Sequence, residues 1–382
     1  MSTSAKWIVG LIVIILIAVG VVRATRKTSD SDSVKLGVIT FTTGPLAALG
    51  EEEVYGLNMA SDEINAAGGI KGKKFESFVE DYAYDPKRAP SAYEALRTKG
   101  INFFTVEGSG GTGAVVPLVR QQKTWSMVAG AVIPSYADGN PLTCRIALRA
   151  NIYGPALANF ILSRHPKAHV AFFVSANEYG KAVQDEVTKV ITAAGGAVTV
   201  AEDYQQASGS DYRTQIAKLK TAEATTDALV VINAGNTIEP MFEQLREQKY
   251  GKEIMTDMWT GGNPQLKTKS LVEGVYYVDY ALPIQPDPSD SAEAKAFKEK
   301  FFKLAGRYPS AAAVNTYDAI HIFAQAANGA SELTPTAVSD YIIHTMGSYK
   351  GIGGEVKFDD DCEVTRASVI RQFKNGVPVL IQ

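Results

Sequence analysis

The chain is poor in the residues that build disulfide scaffolds and metal centres. It has 2 cysteines and 4 histidines among 382 residues, which excludes a disulfide-built miniprotein and a zinc site with four cysteine ligands. Its 38 Lys and Arg residues against 41 Asp and Glu leave a net charge of −3, without the basic excess of nucleic-acid-binding proteins. The length exceeds the roughly 250–300 residues that one core serves, so we expect two lobes.

The sequence also lacks an assembled catalytic motif. His321 and His344 are isolated, and Pro166 separates His165 from His169. The turn around Ser109 is not the G-x-S-x-G motif of a nucleophile elbow. We therefore predict no enzymatic activity, no metal and no cofactor.

Long apolar runs are absent except at the front of the chain. Trp7–Val22 reads WIVGLIVIILIAVGVV and contains no charge, and at 1.5 Å per residue it would span about 24 Å as a helix. The nearest candidate for a small-x-small cleavage site is Val22-Arg23-Ala24, which carries an arginine in the middle. We predict that residues 1–33 form an uncleaved signal anchor (7–22) and a polar tether, with a cleaved signal peptide as the alternative.

After the tether, short apolar strands alternate with helices. Repeated β-α units with fully apolar strands are typical of parallel sheets covered on both faces. The sequence therefore predicts an α/β protein with two doubly wound parallel sheets and a cleft between them. The predicted strands are Val34–Phe41, Phe75–Val79, Phe103–Val106, Ser126–Ala129, His169–Val174, Val198–Tyr204, Ala228–Ile232 and Val275–Val278. The predicted helices include Gly50–Asn65, Gly180–Ala194, Asp211–Lys220, Ala292–Ala305 and Val314–Ala327.

A glycine-rich turn follows the third strand. Gly108–Gly113 matches G-x-G-x-x-G, the dinucleotide-binding fingerprint. It follows the third strand rather than the first, and no acidic residue ends the next strand, so we reject nicotinamide binding. A loop of this composition at a helix N-terminus suits a carboxylate or another small anion, and a plain tight turn is the alternative.

Aromatic residues stand at loop tips where parallel strands end. Tyr179 and Trp259 each follow a strand, and Tyr82 and Tyr84 lie near the end of the second. Ligands in doubly wound sheets bind outside the carboxyl ends of the strands. These side chains therefore either close on an apolar ligand or pack the lobes together.

The two cysteines lie near predicted crossings between the lobes. Cys144 and Cys362 form an even pair, and such a pair in an oxidising compartment is able to form a disulfide. The sequence is compatible with a disulfide bond near the hinge and also with two unpaired thiols.

One stretch of the sequence carries a family resemblance. Thr43–Gly50 (TGPLAALG) is followed by Gly56 and by Glu63–Lys73 (EINAAGGIKGK), and together they read through the pattern GP…G…G…A…EINA.GGI.G. This combination resembles the type I periplasmic solute-binding proteins, specifically the branched-chain-amino-acid binders of ABC transporters. The resemblance runs from Val34 to the C-terminus.

The resemblance implies a fold and a mode of action. It implies two α/β lobes joined by three crossovers, with residues 34–148 and 280–357 in one lobe and residues 149–279 and 358–382 in the other. It also implies a monomer outside the cytoplasm, hinge closure over a small solute, delivery to a membrane permease and no catalysis. A ligand-sensing receptor domain that signals through a partner protein is the alternative.

The resemblance also implies site residues. Ser109 and Thr112 match a loop that takes the ligand carboxylate, and Tyr179 matches a binding tyrosine. Three positions differ from the family's pattern: Val132 occupies the position of a threonine, Gly235-Asn236 that of a tyrosine, and Trp259 that of the acid that pairs with the ligand ammonium. The predicted ligand-binding residues are Leu49, Ser109, Gly110, Thr112, Ala131, Val132, Tyr179, Gly235, Asn236 and Trp259.

The departure at Trp259 bears on the ligand. An unpaired ammonium in a dry cleft is expensive, and no Asp or Glu occurs in the loop after Trp259. We therefore expect a carboxylate or amide with an apolar or aromatic body rather than a standard α-amino acid.

Overall fold

The computed structural model describes residues 33–206, 210–280, 286 and 290–381. The predicted anchor at 7–22, and the tether except Ser33, lie outside the described residues. Within the described part of the chain, no helix combines the length and the apolar character needed to cross a bilayer.

The first lobe is built on a parallel sheet. Its strand order is β2-β1-β3-β4-β5, and every neighbouring pair is parallel. β3 and β4 are buried along their whole length, as expected when helices cover both faces of a sheet. The strands are β1 Ser33–Thr40, β2 Lys74–Asp81, β3 Phe103–Val106, β4 Trp125–Val128 and β5 Thr143–Arg145.

Helices from two parts of the chain cover this sheet. The connections between strands supply α1 Ala47–Ala66, α2 Ala89–Thr98 and α3 Ser109–Gln122. α10, Ala311–Gly329, returns from the far end of the chain and packs on α1. The two backbones approach closely at Gly56, where a Cβ atom would lie 2.4 Å from the carbonyl oxygen of Ala313.

The second lobe contains a mixed sheet. Its order is β14-β13-β10-β9-β8-β6-β7, and the pairs among β6 to β10 are parallel. The strands are β6 His169–Ser175, β7 Ala197–Tyr204, β8 Ala228–Ile232, β9 Glu253–Thr256, β10 Tyr276–Tyr280, β13 Ser368–Lys374 and β14 Val377–Leu380. The remaining helices are α4 Ala150–Arg164, α5 Glu178–Ala193, α6 Arg213–Thr221, α7 Ile238–Glu247, α8 Met258–Gly261, α9 Ala292–Ala305, α10 Ala311–Gly329 and α11 Pro335–Asp340.

The prediction of a purely parallel second sheet is wrong at its edge. β13 pairs antiparallel with β10, and β14 pairs antiparallel with β13. Asn375 and Gly376, at the turn of this hairpin, both have positive φ, 53° and 73°, the geometry for which Asn-Gly turns are favoured. A second short hairpin pairs β11 Tyr349–Gly351 with β12 Gly354–Val356.

The predicted lobe boundary after residue 357 also needs correction. Phe358, Cys362 and Val364 pack into the core of the first lobe, and Glu363 bridges to Arg145 beside β5. The chain joins the second sheet only at Ser368. The short apolar tail segments do not reveal this in the sequence, because an isolated apolar residue packs equally well in either lobe.

A disulfide and a buried ion pair tie this returning segment to the first crossing between the lobes. Cys144 and Cys362 are disulfide-bonded across a sequence separation of 218 residues, which resolves the choice that the sequence left open. The fully buried guanidinium of Arg145 donates to the Glu363 carboxylate through Nε, at 3.0 and 2.9 Å. It also donates through Nη2 to the carbonyl oxygen of Pro134, at 3.0 Å.

Candidate functional site

A small cavity lies between the two lobes. Its volume is about 20 Å³, space for about one water molecule, so the lobes are closed on each other. The cavity is lined by Phe41, Leu46, Leu49, Glu53, Tyr84, Gly108, Ser109, Gly130, Tyr179, Ala234 and Trp259.

The topology explains why these residues meet. Phe41, Gly108 and Gly130 lie just beyond β1, β3 and β4 of the first sheet, whereas Ala234 and Trp259 lie just beyond β8 and β9 of the second. Both sheets therefore direct the carboxyl ends of their parallel strands at the same space, where ligands of doubly wound folds bind.

Aromatic rings supply much of the lining. The rings of Phe41 and Tyr84 meet edge to face with centroids 5.2 Å apart. Tyr179 and Trp259 approach from the second lobe, 4% and 9% exposed. The hydroxyl of Tyr179 has no hydrogen-bond partner among the described residues, and such an unpaired buried group is costly unless a ligand satisfies it.

A wider groove of about 330 Å³ adjoins the cavity. Tyr84 and Tyr179 line both spaces, so these two rings lie between them. Gly110 lines the groove rather than the cavity, with Pro86 and Glu178 close by.

Two buried carboxyl groups lie on the first-lobe side of the cavity. Glu53, on α1, lines it and accepts a hydrogen bond from the Thr40 hydroxyl. Glu107 directly follows β3, and its Oε2 lies 2.7 Å from where a Cβ atom of Gly130 would be. Burial raises the pKa of both groups, that of Glu107 to about 8, and the neighbouring Glu107 charge raises the pKa of Glu53 further.

A third buried carboxyl group belongs to the second lobe and lies two residues before the cavity-lining Trp259. Asp257 ends β9 and caps α8, because its Oδ1 accepts the Trp259 backbone N–H at 3.3 Å. Its Oδ2 and the hydroxyl of nearby Tyr153 have no partner among the described residues. Burial raises the pKa of Asp257 well above its ordinary value.

These carboxyl groups bear on the expectation about the ligand, which stays a prediction. The prediction considered acidic residues only in the loop after Trp259. Asp257 lies two residues before Trp259, and Glu53 lies on the opposite lobe. Leu46, Leu49, Glu53 and Leu57 are spaced three and four residues apart, which puts them on one face of α1. This spacing predicts that Glu53 faces the same side as the leucines, but the adjacent Glu51 and Glu52 obscure the pattern in the sequence.

The predicted site residues separate into two groups. Leu49, Ser109, Tyr179 and Trp259 line the cavity, and their role as ligand-binding residues stays a prediction. The structure does not bring the others to it: Gly110, Thr112, Ala131, Val132, Gly235 and Asn236. Cavity-lining residues that the prediction missed are Phe41, Leu46, Glu53, Tyr84 (only a weak candidate), Gly108, Gly130 and Ala234.

The residues outside the cavity have identifiable contacts. The Val132 N–H donates a hydrogen bond to Ser109 Oγ at 3.3 Å and so helps to orient the serine hydroxyl group. Thr112 is buried, and its hydroxyl has no partner among the described residues. The backbone N–H of Asn236 donates to the carbonyl oxygen of Pro45 at 3.1 Å, so the loop at Gly235 and Asn236 contacts the opposite lobe.

A hydrogen-bond network joins the places where the chain crosses between the lobes. The Leu148 N–H donates to the Tyr280 hydroxyl at 3.3 Å, and the Asn315 amide donates to the same hydroxyl at 2.9 Å. Arg366 Nη1 in turn donates to Asn315 Oδ1 at 3.2 Å. Each crossing contributes one member, so the network lies where a hinge motion would pivot.

Two α/β lobes that close on a cavity at their strand ends, with a hinge of crossing segments, define a cleft-binding protein. A family model described as periplasmic binding protein matches residues 33–377. The chain therefore belongs to the periplasmic binding protein family, and the resemblance to its branched-chain-amino-acid binders is confirmed.

Individual relatives agree with this assignment. The leucine-, isoleucine-, valine-, threonine- and alanine-binding protein of Pseudomonas aeruginosa is 25% identical over 338 residues, 86% of this chain and 87% of the relative. A leucine-binding protein from Thermotoga maritima has a similar structure, with a TM-score of 0.82 and 20% identity, covering 91% of this chain and 98% of that one. A solute-binding protein of an ABC transporter from Rhodopseudomonas palustris, in complex with 3,4-dihydroxybenzoic acid, has a TM-score of 0.80 and 19% identity, covering 91% and 97%.

Proposed function

We propose that this protein is the extracytoplasmic substrate-binding protein of an ABC importer. It captures a small solute between its lobes, and closure presents the loaded form to a membrane permease. The observation that carries the proposal is the closed cavity at the facing strand ends, lined by aromatic rings, among them Tyr179, whose buried hydroxyl group has no hydrogen-bond partner among the described residues. Such groups are satisfied when a ligand supplies the missing hydrogen bonds.

The solute class is a small molecule with a carboxylate or amide and an apolar or aromatic body. The loop at Gly108 and Ser109 opens the 14-residue helix α3, whose N-terminal backbone N–H groups suit a carboxylate. Leu46, Leu49, Tyr179 and Trp259 suit the body. Amino acids belong to this class, because Asp257 and Glu53 remove the reason for excluding them.

The names of the relatives are compatible with either kind of solute. The Pseudomonas protein is named for aliphatic amino acids, and the Rhodopseudomonas structure holds an aromatic acid. Proteins of similar fold therefore bind both kinds of solute, and the side chains in the cleft determine which kind a given protein binds.

Closure follows from differential binding. A solute that contacts both lobes binds the closed form better than the open form, so it shifts the population toward closure. The cavity has room for only about one water molecule, so the solute enters an open form and its bulk is accommodated by displacement of lining side chains or by a wider closed angle.

The proposal is tested by identifying the solute and measuring its effect on stability. Native mass spectrometry of the protein purified without added ligand detects a co-purified solute. Thermal unfolding is then measured with libraries of amino acids and of aliphatic and aromatic carboxylates. A solute at a hundred times its Kd adds about 2.7 kcal/mol.

Transport itself needs a cellular measurement. Deletion of the gene should abolish uptake of the labelled solute, and the intact chain should restore uptake. The proposal fails if no member of either library binds. A solute that binds but is still taken up normally by the deletion strain would instead favour a sensing receptor.

A further inference from the structure

Glu53 and Glu107 form a pair of carboxyl groups beside the cavity. They are 2% and 1% exposed, and the charge of Glu107 acts on Glu53. Oε2 of Glu53 accepts from Thr40. Oε1 of Glu107, by contrast, is buried and has no partner among the described residues. Gly130, which lines the cavity and has no side chain, lies against the Glu107 carboxyl group: Oε2 of Glu107 is 2.7 Å from where a Cβ atom of Gly130 would be.

No basic side chain balances this pair. None of the described residues that line the cavity is Lys, Arg or His. The internal stretches outside the description, 207–209, 281–285 and 287–289, contain none of these residue types in their sequence either. Buried carboxyl groups are normally paired with a cation or neutralised by a proton. The described residues that line the cavity supply no cation, so a proton neutralises these groups in the solute-free protein, and a ligand with a positive charge is the complementary partner that displaces it.

The aromatic lining favours the same charge. Phe41 and Tyr84 on one lobe, with Tyr179 and Trp259 on the other, enclose the cavity. Aromatic faces attract cations, most strongly in desolvated sites. The unpartnered hydroxyl of Tyr179, 4% exposed, is free to accept a hydrogen bond from a ligand N–H.

We propose that Glu53 and Glu107 form a subsite that binds a positively charged nitrogen of the solute, a primary ammonium or an amidinium. The unpartnered oxygen of Glu107 accepts one N–H, and the aromatic rings surround the charge. A metal ion is a poorer occupant, because the described residues contain no group of three or more His, Cys, Asp or Glu side chains able to hold one. This inference rests on the proposed function, since it describes how the solute in the same cleft is recognised.

The test compares solutes that differ only in the amino group. The full 382-residue chain, purified in mild detergent, is titrated with L-leucinamide and with 4-methylpentanamide, and in parallel with L-leucine and 4-methylpentanoate. Binding is followed by thermal unfolding and by tryptophan fluorescence, to which the cavity-lining Trp259 contributes together with Trp7 and Trp125. We expect the ammonium-bearing member of each pair to bind at least about tenfold more tightly.

Variants then identify the carboxyl group that recognises the ammonium. Glu53→Gln and Glu107→Gln keep the shape of the side chain and should each weaken L-leucinamide binding about 30-fold or more, the usual result of removing one partner of a buried charge pair. Glu51→Gln is the matched control, because this neighbouring side chain on α1 is 56% exposed. Asp257→Asn removes the carboxyl group on the opposite lobe.

The outcomes separate this inference from the function on which it rests. Equal affinity within each pair, or loss of the ammonium preference in Asp257→Asn while both glutamate variants keep it, overturns the subsite and leaves the proposed function standing. Failure of all four solutes and of the wider libraries overturns both. If a glutamate variant does not fold, Asp257→Asn still decides: a preserved ammonium preference in this variant supports the subsite at Glu53 and Glu107, and its loss overturns the subsite.

Discussion

The stability of the folded protein should depend on pH through Glu107. Burial raises the pKa of this carboxyl group from its ordinary value of 4.5 to about 8. Below pH 4.5 it is protonated in both the folded and the unfolded chain. As the pH rises toward 8, the unfolded chain releases the proton while the folded chain retains it, so folding is progressively disfavoured. The stabilisation is therefore present at low pH and is lost as the pH rises.

The size of the effect follows from the size of the shift. Each pKa unit corresponds to about 1.4 kcal/mol, so the rise from 4.5 to about 8 corresponds to about 5 kcal/mol of unfolding free energy between pH 4.5 and pH 9. The side chain is fully buried, so solvent screening does not reduce this figure. Glu53 shifts in the same direction, and a single pH series on the unmodified protein would therefore mix both groups.

A variant removes the titration of Glu107, and with it the Glu107 charge that raises the pKa of Glu53, so the comparison reports on Glu107 together with its coupling to Glu53. Glu107→Gln has a similar shape and does not titrate. We expect the difference in unfolding free energy, variant minus unmodified protein, to increase by about 5 kcal/mol from pH 4.5 to pH 9. Urea unfolding at a series of pH values, without added solute, measures both. Parallel pH profiles for the two proteins would refute the reasoning, because they would mean that Glu107 has the same pKa in the folded and unfolded chains.

Further predictions concern the segments that join the lobes. Replacing Cys144 and Cys362 by alanine should lower the unfolding free energy by about 2–5 kcal/mol, because the disulfide bond links residues 218 apart. Unfolding of the variant and of the unmodified protein, with and without reductant, checks this. An effect of reductant on the unfolding of the variant would contradict the prediction. Tyr280→Phe removes the hydroxyl shared by two hinge donors and should cost about 1–3 kcal/mol in urea unfolding; an unchanged midpoint would contradict the network. Gly235→Ala should hold the lobes apart, because its Cβ would lie 2.5 Å from the Pro45 carbonyl oxygen at a φ of +66°; small-angle scattering should show a larger radius of gyration, and an unchanged value would mean that the loop yields instead.

The features that the sequence predicts well are local. A strand that is buried on both faces must be apolar throughout, as in Phe103–Val106 and Ala228–Ile232, and both are observed with these bounds. Tyr179 and Trp259 could be selected because a strand ends just before each, and strand ends are where this architecture binds ligands. The edge hairpin was missed, although Asn375-Gly376 is a strong turn signal in the sequence.

The remaining features depend on contacts between residues far apart in the chain. The pairing of Cys144 with Cys362, the return of residues 358–364 to the first lobe, and the approach of Glu107 to Glu53 all join segments that the sequence does not relate. The sequence by itself determined the β-α alternation and hence the sheets and the edge at which a site forms, because burial on both faces restricts which residues a strand accepts. Only the tertiary structure decided which side chains share the cavity and which charges lie unbalanced there, because these depend on how the lobes close on each other.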